Sequence, residues 1–184
     1  MEQSVGRRGN RGRVAIWGVA ALLLLLPAVA MRFTPEVNWS PPDFGVFGAM
    51  LFAACGTYEL AARRTVSSAY RAGVGVAVAA GFLLVWINLA VGILGSEANP
   101  ANLMFGGVLG VALVGALFAR FRPEGMARAL VGTAIAQGLV QGIALAAGWG
   151  SAWILTGFFV VLWLTSAQLF RRAAREQAGP GTQG

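Results

Sequence analysis

The chain has no histidine, no lysine, a single cysteine and only seven acidic residues among 184. Without histidine no Ser/His/Asp arrangement can be assembled, and one thiol without imidazoles is a poor start for a transition-metal site. Cys55 has no partner for an intramolecular disulfide, and inside an apolar run it reads as a small buried hydrophobe. No two acids lie inside the apolar runs, so paired carboxylates are missing, and no glycine loop has the spacing that cradles a phosphate. An enzyme is disfavoured on these grounds, an intramembrane one acting on lipid included, and no cofactor is expected.

Charge of either sign is also scarce. Charged residues make up 11% of the chain and hydrophobic ones 57%, whereas a soluble domain carries about 25% charged residues. That balance suits lipid. The net charge of +7 comes from fourteen basic residues that are all arginines. They stand in short clusters between apolar runs instead of along one continuous face, which argues against a nucleic-acid partner.

What the chain does have is apolar length. Six runs, at about 14–31, 44–62, 70–94, 100–119, 126–147 and 152–170, each approach the roughly 20 residues that a helix needs to cross a hydrocarbon layer. Transmembrane strands would be shorter and would alternate in polarity. The sequence therefore predicts an all-α, polytopic transmembrane bundle of six spans over residues 14–170. A basic cytoplasmic segment, 1–13, precedes it and a disordered cytoplasmic tail, 171–184, follows. One alternative concerns the first run: with its basic start and Ala28-Val29-Ala30 it also fits a cleaved signal, which would leave five spans.

Local signals punctuate the runs. Ser40-Pro41-Pro42-Asp43 reads as a helix start, with Ser40 capping and Asp43 returning a hydrogen bond. Asn99-Pro100 opens the fourth run, and Ser151 is placed to cap the sixth. The turn from Gly95 to Ala98 is short, so the third and fourth helices are expected to be antiparallel neighbours.

Arginine placement sets direction, because positively charged loops stay in the cytoplasm. Thirteen arginines fall on one side of the alternating spans, and Arg32 alone falls on the other. The expected location is a bacterial inner (plasma) membrane with both termini cytoplasmic. Trp39, Trp149 and Trp153 then mark the outer interface, and Trp17, Tyr58 and Tyr70 the inner one.

Lipid competes with apolar side chains, so helices in a membrane associate through small residues and buried polar contacts. Gly106 with Gly110, and Gly138 with Gly142, offer close-packing faces at helical spacing. Gln137 and Gln141 stand one turn apart, either to clasp a neighbouring helix or to line a solute path. Glu59 is the only acid inside a run. It stands either as a site or, with Arg63 four residues on, as an interfacial anchor. Asn88, Ser96, Glu97, Asn99 and Asn102 form the densest polar cluster, readable as a binding site or as the caps of a turn.

Three stretches carry a resemblance: Thr57 to Arg64, Ala69 to Gly75, and above all Trp86-Ile87-Asn88-Leu89-Ala90-Val91-Gly92-Ile93-Leu94-Gly95-Ser96-Glu97-Ala98-Asn99-Pro100-Ala101-Asn102-Leu103-Met104. With Ala119 to Pro123 and Gly125 to Ala127, they resemble a family of small uncharacterised bacterial polytopic membrane proteins. The resemblance implies a membrane location and no particular reaction. It raises Glu59 and the segment from Asn88 to Asn102 above the other polar positions. The partners expected from all this are membrane lipids and either a second copy of the chain or another membrane protein. A small permease or proton-coupled carrier with a polar path is the competing reading; inverted-repeat carriers have two similar halves, and none are apparent here.

Overall fold

A computed structural model describes residues 3–96 and 98–179, with side chains from residue 12 onward. Among the described residues it is all-helical: α1 (Gln3–Ala30), α2 (Pro41–Arg63), α3 (Ser68–Ala90), a 3-10 turn (Pro100–Leu103) leading into α4 (Met104–Phe118), α5 (Pro123–Ala146) and α6 (Trp153–Ala178). Six helical stretches of 19 to 26 residues are long and apolar enough to span a membrane. At about 1.5 Å per residue even the shortest reaches roughly 28 Å, close to the hydrocarbon thickness.

Two compact units divide the chain, Met1–Arg63 and Arg64–Gly184. The first is the α1–α2 hairpin. Its start of α2 is built as expected: the Ser40 N–H and hydroxyl both donate to Asp43 Oδ2 at 2.7 Å, closing a capping box ahead of Pro41. Packing between the two helices rests on a few contacts, among them Trp17 on Phe52 and Leu24 over Gly48, with Phe47, Leu51 and Cys55 buried.

The second unit has a proper interior. In it α5 packs on α4 and α6, and α6 packs on α3, with Leu84, Phe105, Phe159 and Phe170 fully buried between them. The helices α3 and α4, expected to be neighbours, share only a thin seam where Leu109 lies over Gly81. The main partner of α3 is α6, the most distant helix in the sequence of this unit.

Glycine drives the α4–α5 contact, although at other positions than the spacing of Gly106 and Gly110 suggests. A Cβ on Gly115 would stand 2.7 Å from Ala129 Cβ, and one on Gly125 would stand 2.6 Å from Ala119 Cβ. Gly115 with Ala119 and Gly125 with Ala129 are thus two small-residue pairs, each spaced by four, that face each other reciprocally. Around Gly106, Gly110, Gly138 and Gly142 an added Cβ meets nothing within 4 Å.

Two helix ends and one cap differ from the sequence reading for reasons visible in the structure. The third helix stops at Ala90, not Leu94, because Gly92 and Gly95 adopt left-handed backbone (φ +70° and +79°) and break the helical path. The sixth helix runs to Ala178, so the disordered tail expected from Arg171 is corrected over 171–178. Alanine and arginine favour helix there, Ala173 is buried, and Arg172 pairs with Glu176 one turn on. Ser151 does not cap α6: Ala152 holds that position and no side chain of its own segment supplies the bond.

Interhelical bonds show which ends lie together. In the second unit Ser67 Oγ donates to Glu176 and Tyr70 Oη donates to the Phe121 carbonyl, while Asn99 Nδ2 reaches toward the Trp149 carbonyl at the opposite end. Every arginine from Arg64 to Arg175 therefore gathers at one end of this unit, as the alternation of loops requires.

Candidate functional site

Glu59 lies near the last turn of α2, with its side chain 15% exposed. Arg63 donates to it from one turn on, as its spacing predicts, and Arg13 of α1 bonds the same Oε1 at 2.6 Å. The indole Nε1 of Trp17 donates to the other oxygen at 3.0 Å. One carboxylate thus joins two guanidiniums and an indole, and both of its oxygens are engaged. This arrangement ties Arg13 and Trp17, near the middle of α1, to the end of α2. Arg13 and Trp17 were absent from the sequence-level candidates, yet they stand four residues apart, just where the first run begins and close to the level at which the second ends. Topology alone puts them beside Glu59.

The asparagine cluster organises the segment between α3 and α4. Asn102, almost fully buried, accepts from the backbone N–H groups of Ile93 and Leu94 at 3.1 and 2.9 Å and donates to the Ser96 carbonyl at 2.6 Å. Asn88 Nδ2 donates to the Asn102 carbonyl at 3.0 Å. Asn99 caps the 3-10 turn by accepting from Ala101 N–H and donates to the Leu94 carbonyl. Unpaired backbone groups in an apolar interior are costly, so a non-helical segment can enter the bundle only where side chains replace the lost bonds. Asn102 and Asn99 supply those bonds, which lets Ile93 and Leu94 bury their side chains. Glu97 lies outside the described residues.

Gln137 and Gln141 are both fully buried on α5. Gln141 Oε1 accepts from the Ala152 N–H at 2.9 Å and from Thr156 Oγ1 at 3.1 Å. It caps α6 from a neighbouring helix, the role that the spacing had suggested for Ser151. Gln137 is different: neither its Oε1 nor its Nε2 meets a partner, and Gln141 Nε2, Trp163 Nε1 and Asn88 Oδ1 are in the same condition. Ser166 adds one more interhelical bond, donating to the Gly73 carbonyl at 2.7 Å.

The predicted residues therefore fall into separate places. Glu59 and Arg63 belong to the hairpin, the asparagines to one end of the second unit, and the glutamines to its interior. Among the described residues no group of three or more His, Cys, Asp or Glu is placed to hold a metal ion. No family model, no curated protein and no solved structure matches this chain.

Proposed function

We propose that this chain is a non-enzymatic, multi-pass protein of a bacterial inner membrane, with both termini in the cytoplasm, that acts through intramembrane contacts with itself, with lipid or with another membrane protein. One observation carries the reading. The polar residues best placed for chemistry are bonded to the protein's own scaffold, Glu59 by three donors and Asn102 by three backbone groups, while the faces at Gly106–Gly110 and Gly138–Gly142 carry no side-chain bulk and have open space beside them. Small-residue faces of this kind let another helix approach closely. The gathering of arginines at one end supports the orientation, and six helices long and apolar enough to span a membrane support the membrane location.

Blue-native electrophoresis of gently solubilised membranes tests the contacts. A species larger than the monomer is expected, and Gly106→Leu with Gly138→Leu should shift it to the monomer. A lone monomer in every detergent, with nothing co-purifying, would overturn the reading. Reporter fusions in the turn at residues 64–67 and after Arg120 should report the same, cytoplasmic side.

A second reading, a small permease with a polar path, is favoured by the unpartnered atoms of Gln137, Gln141 and Trp163 inside the bundle. Flux into liposomes measured for wild type, Gln137→Leu, Asn88→Ala and Glu59→Gln separates the two. A solute flux that any of these variants abolishes would favour the permease.

A further inference from the structure

A groove of about 420 Å³ opens between the first turns of α5 and the last turns of α6. Arg128, Arg171 and Arg175 line it together with Glu124, over a floor of Ala127 and Ala174. Clefts that hold small ligands run from about 300 to 1,000 Å³, so the volume suffices for a headgroup.

Two features bear on what these arginines can bind. Among the described residues Arg128, Arg171 and Arg175 have no ion-pair or hydrogen-bond partner, whereas Arg172 is committed to Glu176. Three guanidiniums against one carboxylate leave the groove cationic. Their depth is the second feature. At roughly 1.5 Å per residue Arg171 and Arg175 lie about 27 and 33 Å along α6 from Trp153, and Arg128 lies about 27 Å along α5 from Ala146. A hydrocarbon layer is about 30 Å thick, so all three stand near its edge, from where their long side chains extend into the headgroup region.

We propose that this groove binds the phosphate of an anionic phospholipid headgroup. The guanidinium fork matches phosphate oxygens bidentately, and Arg171 and Arg175, one turn apart, present two such forks from one face of α6 while Arg128 presents a third from α5. The alanines leave the groove's base apolar, so the first methylenes of an acyl chain can lie along it. A lipid bound here bridges α5 and α6 at the point where they leave the membrane. Basic pockets between transmembrane helices at the cytoplasmic surface recognise anionic lipids by the same physics.

The inference rests on the membrane reading above, and the experiment separates the two. Full-length protein is placed in nanodiscs of mixed phosphatidylcholine and phosphatidylglycerol, released, and the retained lipids are counted by native mass spectrometry. Preferential retention of phosphatidylglycerol is expected. Each of Arg128→Gln, Arg171→Gln and Arg175→Gln should weaken it about five-fold, the triple variant should abolish it, and Arg120→Gln, at the same end but outside the groove, should change it less than about two-fold. The corresponding lysine variants keep the charge and lose the fork; they should fall between, and they read the site even if a glutamine variant misfolds. An equal loss from Arg120→Gln would overturn the proposal in favour of diffuse surface attraction. Displacement of the lipid by millimolar inorganic phosphate would overturn it in favour of a free-phosphate site. Failure to enter nanodiscs would sink the membrane reading itself, whereas entry without lipid preference sinks only the groove.

Discussion

In the α1–α2 hairpin 11% and 17% of the most apolar stretch of each helix is buried, while in α5 and α6 of the second unit the shares are 39% and 33%. The segments are comparably apolar, so hydropathy does not separate them. Interior polar bonds and small residues do. The hairpin is fastened mainly at its arginine-bearing end, by Glu59 with Arg13, Trp17 and Arg63. The second unit is held along its length by the reciprocal contact of Gly115 and Gly125 with Ala129 and Ala119, by Ser166 on Gly73, and by the Gln141 and Asn102 caps. In lipid, where apolar burial offers little preference for one neighbour over another, such contacts decide which helices associate.

This contrast can be broken most severely at Asn102. Asn102→Leu leaves the Ile93 and Leu94 N–H groups and the Ser96 carbonyl without partners; at about 1–3 kcal/mol per buried unsatisfied group, a loss on the order of 3–5 kcal/mol is expected. The unfolding midpoint in a mixed-micelle titration measures it, and it should fall for the second unit while hairpin protection in hydrogen exchange stays unchanged. Gly125→Val comes next. The new side chain must displace Ala119, and overpacking of that kind costs about 2 kcal/mol.

The two buried glutamines sharpen the comparison, because they should respond in opposite directions. Gln141→Leu removes the acceptor for Ala152 N–H and Thr156, with a loss of about 1–3 kcal/mol expected. Gln137→Leu removes an amide with no protein partner, and stability should rise by about 1 kcal/mol. A fall instead would show that Gln137 bonds to something outside the chain, which favours the permease reading. The smallest effect belongs to the hairpin: Glu59→Gln should leave the midpoint of the second unit unmoved and should only speed amide exchange near Arg63, because its ion pairs lie at the edge of the span.

Much of the fold was legible from periodicity and composition. Six apolar lengths, the Ser40–Asp43 box, the Asn99 cap and the Glu59–Arg63 pair depend on residues close in the chain, where spacing fixes geometry. The candidate sites were legible as residues but not as arrangements. Arg13 on Glu59 and Gln141 on α6 join segments 46 and 11 residues apart, and only packing brings them together. The glycine faces show the same limit, because Gly106–Gly110 and Gly115–Ala119 have equivalent spacing and nothing local says which one receives a neighbour.

By itself the sequence determined that this protein consists of helices long enough to cross a membrane, with arginine confined almost wholly to alternate loops, since helix length and loop charge are one-dimensional properties of the chain. Tertiary structure decided that α6 and not α4 is the main partner of α3, that the segment after Ala90 folds inward on Asn102, and that three unpaired arginines converge on one groove. Those outcomes depend on which faces of apolar rods meet, and in a solvent as apolar as the rods themselves that choice is made by fit and by buried hydrogen bonds, which no linear pattern encodes.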